Sequence, residues 1–211
     1  MIISGINRFS VVNYPGKVSC VLFTKGCPLH CPYCYNRTLL SEPEIEWEDI
    51  EKFLCKRKGV LDAVVISGGE PMLHYKTILP RIQEIKSMGY LIGIHLTGLN
   101  SDKEEFEKVV DLCDWIGLDF KTTPSKYKEL CGLDYKSWEK ALEIILGKNK
   151  NFEIRTTLDY SLTRENLLEM EQILHNKGVK EWSLQKLMNR EGSFVVPNYS
   201  LDFTTVQAVL R

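Results

Sequence analysis

The chain has 211 residues, of which 44% are hydrophobic and 26% charged, and its formal net charge is −1. This length suits one domain with a full core and is too short for two ordinary ones, so we expect a single domain over residues 1–211. The near-neutral charge gives no indication of a nucleic acid or an anionic membrane as an electrostatic partner.

The sequence also indicates a cellular compartment. No apolar run approaches the roughly 20 residues that span a bilayer, and residues 1–12 lack the layout of a secretory signal. We therefore expect a cytoplasmic protein. Three of the seven cysteines lie within eight residues. In a reducing compartment, such clustering favours metal or cluster ligation over disulfides.

Short β-like runs alternate with helical patterns along the chain. The six predicted strands cover residues 18–23, 63–66, 90–96, 115–120, 152–157 and 181–185. Between them, apolar faces at helical spacing predict five helices, which contain Trp47, Tyr75, Phe106, Trp138 and Leu167. Ser101 with Glu104 predicts a capping box for the third helix, and Thr163 a cap for the fifth. A short last helix is predicted over residues 202–210.

Six βα units predict an α/β fold in which helices lie outside a sheet of parallel strands. Six strands are too few to close the eight-stranded barrel, so we expect a partial, TIM-like (β/α)6 barrel. A flat, doubly wound sheet is the alternative. In both folds, the functional groups lie at the carboxyl ends of the strands.

The motif that carries chemistry follows the first predicted strand. Cys27, Cys31 and Cys34 have the spacing C-x3-C-x2-C in a loop over residues 24–36. Three thiolates on one loop suit a [4Fe–4S] cluster, in which one of the four irons then lacks a protein ligand. Such an open position can bind a substrate or cofactor, as in catalytic metal sites. A zinc site with His30 as a fourth ligand is the alternative.

With Tyr33 just before the third cysteine, this motif resembles the signature of the radical S-adenosylmethionine (SAM) superfamily. The resemblance implies two cofactors, a [4Fe–4S] cluster on the three cysteines and SAM bound to the open iron. It also implies reductive cleavage of SAM to a 5′-deoxyadenosyl radical, which abstracts a hydrogen atom from a substrate. The protein would position and shield these reactive groups.

The second predicted strand ends in Gly68, Gly69, Glu70 and Pro71. Glycines allow a backbone to approach a ligand closely, and Glu70 adds a charge at the strand end. On its own such a turn is common in βα loops. Beside the cysteine motif, it resembles the segment by which radical SAM enzymes hold the amino group of SAM.

Polar residues also mark the ends of later strands. Asp119 and Lys121 share one face of an extended chain and form either a solvent ion pair or the Asp-x-Lys of a SAM site, which they resemble. Arg155 and Gln185 extend this face over the next two strands. A buried arginine requires an anionic partner, for which the SAM carboxylate, Glu70 and Asp119 are candidates.

Residues 13–17, 114–121 and 155–157 resemble the glycyl-radical-enzyme activating proteins, and in particular the activating protein of anaerobic ribonucleoside-triphosphate reductase. This resemblance implies a glycyl radical enzyme as partner and an electron donor such as flavodoxin or ferredoxin. Thr97 matches a SAM-site threonine of these activases. Leu96 stands where many of them have an aspartate, which puts their cation site in question.

Other functions stay open at this point. The chain could be a radical SAM enzyme acting on a small molecule such as a 7-deazaguanine precursor, or on a peptide or RNA, or a non-catalytic iron–sulfur or zinc protein. The remaining cysteines show no metal spacing, and we predict one cluster and four small buried side chains. These are Cys20, Cys55, Cys113 and Cys131.

Overall fold

The computed structural model describes residues 1–38, 41–188, 194–195 and 206–210. The strands are β1 Ile3–Ser10, β2 Ser19–Thr24, β3 Ala63–Gly68, β4 Leu91–Leu96, β5 Trp115–Asp119, β6 Phe152–Leu158, β7 Glu181–Met188, β8 Phe194–Val195 and β9 Gln207–Leu210. The helices are α1 Trp47–Lys56, α2 Tyr75–Ser87, α3 Glu104–Leu112, α4 Tyr127–Cys131, α5 Tyr135–Gly147 and α6 Arg164–Asn176.

The six predicted strands are present as β2 to β7, and each pairs in parallel with the next along the chain. Three strands were not predicted. β1 pairs antiparallel with β2, β8 pairs antiparallel with β7, and β9 pairs in parallel with β7. Asn7 and Arg8 interrupt the apolar alternation of β1, which hides its strand pattern from a sequence analysis.

The helices cover one face of the sheet. Leu22, Ile66, Ile94 and Leu118 point to that face and belong to the same buried cluster as the apolar residues of the helices. The opposite face carries a second, separate cluster, formed by Tyr14, Val21, Ala63, Val65 and Trp115. Helices on one face only are incompatible with a doubly wound sheet, so the partial barrel is confirmed.

The second cluster fills the barrel interior towards the amino ends of the strands. Val65 is in register with Val21 and with Gly93, and Gly93 with Trp115. A side chain at Gly93 would lie 3.0 Å from the Tyr14 ring, so glycine leaves room for the aromatic pair Tyr14–Trp115. Because side chains alternate along a strand, residues two and four positions further on face the same interior at the carboxyl ends.

Two local predictions were wrong. The final helix over 202–210 is not observed, since Gln207–Leu210 forms β9 and residues 202–205 lie outside the described part of the chain. A short apolar run is compatible with a helix or a strand, so periodicity alone does not decide between them. Here the edge of β7 offers backbone hydrogen bonds to the segment, and a strand forms. The capping box at Ser101 is also absent. Its hydroxyl donates to Ser137 O (2.8 Å), and α3 begins after Lys103 without a side-chain cap.

The cap at Thr163 is confirmed. Its hydroxyl accepts from the Asn166 backbone N–H (3.3 Å), and the Asn166 side chain accepts from the Thr163 N–H (3.2 Å). This reciprocal pair satisfies two backbone donors that a helix start leaves without partners. It fixes α6 directly behind the loop that follows β6.

We expect Thr163→Ala to lower the free energy of unfolding by about 1 kcal/mol, because it removes the acceptor for the Asn166 N–H. Urea denaturation followed by circular dichroism measures the change. Thr163→Ser is the matched control, since it keeps the hydroxyl and should stay near the parent. Equal stability of the alanine variant and the parent would contradict a stabilising cap.

Candidate active site

The cysteine loop leaves β2 at the carboxyl edge of the sheet. All three cysteines carry free thiols, and Cys31 is buried. The Cys34 N–H and the Arg37 guanidinium donate to Cys31 O, at 3.2 and 3.0 Å. Burial raises the pKa of the Cys27 thiol to about 11. A hydrogen bond shared with Cys131, together with burial, raises the pKa of Cys31.

The Gly-Gly turn after β3 is packed directly against this loop. Gly69 N–H donates to Thr24 O and Glu70 N–H to Gly26 O, both at 2.9 Å. A Cβ at Gly69 would lie 1.9 Å from Gly26 O, and one at Gly68 would lie 2.5 Å from Thr24 N. The glycines are therefore required where two loop backbones meet, and the predicted approach of a ligand to this turn stays a prediction.

Glu70 is fully buried and caps the short 3-10 turn Pro71–His74. Its carboxylate accepts from the Thr97 hydroxyl (2.5 Å) and from the Met72 N–H (3.0 Å). Burial raises the pKa of Glu70 to about 7, although both hydrogen bonds favour the charged form. The Gly-Gly turn thus places a carboxyl group that changes protonation near neutral pH at the carboxyl end of the barrel.

Asp119 forms ion pairs with Lys121 and Arg155, the two basic side chains predicted on the same face of the strands. Arg155 donates to Oδ1 from Nη2 (2.6 Å) and Nε (3.1 Å), and Lys121 Nζ lies 3.1 Å from Oδ2. Burial alone would raise the pKa of Asp119, but these two cations hold it well below its usual range. Among the candidate partners for Arg155, the structure therefore selects Asp119 over Glu70. Two cations sharing one anion leave one net positive charge.

These groups line one cavity of about 330 Å³ at the carboxyl ends of β2 to β7. Twelve of the thirteen predicted site residues line it: Cys27, Cys31, Tyr33, Cys34, Gly68, Gly69, Glu70, Thr97, Asp119, Lys121, Arg155 and Gln185. Pro71 is buried at the start of the 3-10 turn and is not part of the lining. The fold thus brings the predicted residues together in one cavity at the carboxyl ends of six strands.

The cavity also contains residues that the sequence analysis did not assign to the site, among them Asn13, Asn36, Ser67 and His95. His95 Nδ1 and the Ser67 hydroxyl lie 2.9 Å apart. The His95 ring packs edge-on against Trp115, with ring centroids 5.6 Å apart. The alternation of side chains along a strand could have identified both residues. Ser67 and His95 lie two positions after Val65 and Gly93, which face the barrel interior, so their side chains face it too.

Leu96 lies on the other side of the sheet from His95. It is buried in the core between the strands and the helices, and the hydroxyl of the next residue, Thr97, donates to Glu70.

The four cysteines outside the motif differ from one another. Cys20, Cys113 and Cys131 are buried as predicted, whereas Cys55 is exposed on α1, because it stands on the solvent side of that helix.

The donor set fits an iron–sulfur cluster better than one metal ion. Three thiols line the same cavity, and sulfur is the ligand type that such clusters use. Within the described residues, no three histidine, cysteine, aspartate or glutamate side chains converge as ligands of a single ion would. The His30 ring packs beside Gly132, and among the described residues it forms no ligand group with the cysteines.

The Gly69–Gly26 contact generates a prediction. We expect Gly69→Ala to reduce the free energy of unfolding by more than about 2 kcal/mol, because the methyl group must displace the Gly26 carbonyl. Gly147→Ala is the matched control, since its methyl group would meet no atom within 4 Å beyond its own helix turn and chain neighbours. Urea denaturation of the metal-free proteins compares them, and equal stability of the two variants would contradict the close packing.

Glu70 generates a second prediction. Its folded-state pKa of about 7 exceeds the ordinary value of 4.5, so the folded chain binds more protons than the unfolded chain between these values. The free energy of unfolding should therefore fall as pH rises from 4.5 to 7, by up to roughly 3 kcal/mol from this group. Glu70→Gln should lose that contribution, and Glu48→Gln, which changes an exposed carboxylate, should keep it.

Denaturant titrations of the metal-free proteins at pH 5, 6, 7 and 8 measure this difference. A Glu70→Gln variant whose pH dependence parallels that of the parent would show that Glu70 ionises at its ordinary pKa.

Residues 21–175 match the model of the radical SAM superfamily. The chain is 35% identical over 162 residues to a putative glycyl-radical enzyme activating enzyme of Methanocaldococcus jannaschii, covering 74% of this chain and 68% of that protein. It is 26% identical over 184 residues to the pyruvate formate-lyase-activating enzyme of Clostridium pasteurianum, covering 82% and 76%.

Solved structures share the fold. Streptococcus suis SuiB aligns with a TM-score of 0.66 at 16% identity, over 90% of this chain and 48% of SuiB. A domain of a pyruvate-formate lyase-activating enzyme from Bacteroides vulgatus aligns with a TM-score of 0.58 at 15% identity, over 71% and 98%. The described part of the chain contains no helix long and apolar enough to cross a membrane.

The family model covers well over half of the chain, and the match includes the three cysteines, the Gly-Gly turn and the Asp119 network. The protein therefore belongs to the radical SAM superfamily, whose members use SAM and an iron–sulfur cluster, and is similar to its glycyl-radical enzyme activating members.

Proposed function

We propose that this radical SAM enzyme generates a glycyl radical on a partner enzyme. One observation carries the proposal: three free cysteine thiols share a cavity with the partly buried network of Asp119, Lys121 and Arg155 and with a Gly-Gly turn. Cys27, Cys31 and Cys34 would hold a [4Fe–4S] cluster, and SAM would occupy the rest of the cavity. When bound, these two groups supply reductive carbon–sulfur cleavage and a carbon-centred radical.

The Asp119 network would orient the charged part of SAM. Its single net positive charge suits a carboxylate, and Lys121 is itself buried, so little water screens that charge. Burial would lower the pKa of Lys121, but Asp119 raises it well above its ordinary value, so the ammonium stays charged. Gln185 and Tyr33 also line the cavity.

Glu70 and Thr97 would hold the Gly-Gly turn in place. Thr97 holds one carboxylate oxygen of Glu70 and the Met72 N–H holds the other, which fixes the Gly-Gly backbone against the cysteine loop. Through the resemblance described above, this backbone would receive the amino group of SAM. The carboxyl ends of the parallel strands form the open side of the partial barrel, where a partner segment would enter.

The similarity to glycyl-radical enzyme activating proteins supports the choice of partner over a small-molecule substrate. Flavodoxin or ferredoxin is the class of electron donor that we propose. Because the sheet scaffold of this fold serves many reactions, the partner must be established by experiment.

We expect the anaerobically reconstituted protein to produce 5′-deoxyadenosine from SAM after reduction with dithionite. Cys27→Ala, Cys31→Ala and Cys34→Ala should each abolish production, because each removes a cluster ligand. Cys113→Ala is the matched control, since it removes a buried thiol outside the cavity and should retain activity. Chromatography quantifies the product.

Addition of a glycyl radical enzyme from the same organism should then give the doublet of a glycyl radical in the electron paramagnetic resonance spectrum. About four irons per chain without SAM cleavage would refute the enzymatic proposal. SAM cleavage without a radical on any candidate partner would refute the choice of partner.

A further inference from the structure

Gly117 lies in the middle of β5, on the face that points into the barrel. Side chains alternate along a strand, so Gly117 shares this face with Trp115 and Asp119. On one side it is in register with His95 of the neighbouring β4. On the other side of β5, Arg155 of β6 is in register with Asp119. Two polar side chains therefore flank a residue that has no side chain of its own.

The space that a side chain at Gly117 would need is already filled. A Cβ there would lie 3.0 Å from Cζ and 3.1 Å from Nε of Arg155, and 3.1 Å from Cδ2 of His95. These distances are shorter than an ordinary van der Waals contact of about 3.5–4.0 Å. The Arg155 side chain thus passes over Gly117, where it donates to Asp119 Oδ1 from Nη2 (2.6 Å) and Nε (3.1 Å).

The His95 ring is held in place on the opposite side of Gly117. Its Nδ1 lies 2.9 Å from the Ser67 hydroxyl, and the ring packs edge-on against Trp115. Burial lowers the pKa of His95 well below its usual range, and the nearby Arg155 lowers it further. The ring is therefore neutral at physiological pH and lies beside the guanidinium without charge repulsion.

The position of Arg155 decides the charge of the cavity wall. Asp119 carries one negative charge, and Lys121 Nζ, which lies 3.1 Å from Oδ2, would balance that charge alone. The net positive charge of the network therefore depends on a guanidinium that is held on Oδ1 as well. Because protein interiors are close-packed, a single additional methyl group under the guanidinium would move it.

We propose that Gly117 is a positioning residue for SAM binding, which gives the Arg155 guanidinium room to lie on Asp119 and so keeps a positive charge at the cavity wall. The inference rests on the proposed function, because it takes the SAM carboxylate as the ligand of this charge. A methyl group at position 117 would push the guanidinium away from Asp119, since the His95 ring occupies the other side. The effect falls on the affinity for SAM, not on the cleavage step.

The test compares Gly117→Ala with Gly93→Ala, a matched control on the interior face of β4. A Cβ at Gly93 would lie 3.0 Å from Tyr14 and 3.1 Å from Val65, so the crowding is similar but displaces no charged group. Titration calorimetry with SAM measures Kd for each cluster-loaded protein, kept oxidised so that SAM is not cleaved. Urea denaturation of the metal-free proteins measures whether each variant is folded.

We expect Gly117→Ala to raise the Kd of SAM by roughly tenfold or more, because a hydrogen-bonded charge is displaced from the wall. Gly93→Ala should keep the Kd of the parent. After reduction, both variants should form 5′-deoxyadenosine at the parent rate once SAM is saturating, so that KM rises in Gly117→Ala and kcat does not.

A double-mutant cycle tests whether Gly117 acts through Arg155. Arg155→Lys keeps the positive charge but has no planar head group to lie over Gly117. In the Arg155→Lys background, Gly117→Ala should therefore have little further effect on the Kd of SAM, and the two substitutions should be non-additive. A merely structural effect of the methyl group would lower the affinity equally in both backgrounds.

An unchanged Kd in Gly117→Ala would overturn the inference. So would an equal rise in Gly93→Ala, which would indicate general packing, or additive effects in the cycle. A Gly117→Ala protein that folds only together with Arg155→Lys would support the clash, whereas failure to fold in both backgrounds would overturn it. A parent protein that binds no SAM would instead refute the proposed function, so the two failures are distinguishable.

Discussion

The site depends on the contact between two backbones, the cysteine loop after β2 and the Gly-Gly turn after β3. Because Gly69 has no side chain, its Cα can approach the Gly26 carbonyl, and the turn then donates two backbone hydrogen bonds, to Thr24 O and Gly26 O. This contact fixes three thiols relative to the turn that carries Glu70. Backbone hydrogen bonds need no side-chain ordering, so the arrangement is held without additional loss of side-chain entropy.

Electrostatics then organises the opposite wall of the cavity. Asp119 lies between Arg155 and Lys121, and its charge allows Lys121 to be buried and Arg155 to be mostly buried on neighbouring segments. The network leaves one positive charge facing the thiols. Metal-bound thiolates are anionic, so the same charge that would orient SAM also favours the ionised form of the cysteine ligands.

Most of the candidate site could be predicted because its residues occupy simple positions, at or just beyond the carboxyl ends of consecutive parallel strands. His95 and Ser67 were missed, although the same alternation places them in the cavity. Cys131 was predicted to be a buried apolar side chain and is buried, but its backbone carbonyl accepts from the His30 N–H, about a hundred positions away along the chain. No local pattern encodes a contact between a loop and a distant helix end.

The sequence by itself determined the βα order, the parallel strands, the cysteine motif and the cap at Thr163, since these follow from local spacing and hydrogen-bonding capacity. Only the tertiary structure decided that the helices cover one face, that 207–210 is a strand and that Arg155 pairs with Asp119. These outcomes depend on which segments meet across the fold. Free sheet edges and buried charges are satisfied by distant partners, and their identity depends on the packing of the whole chain.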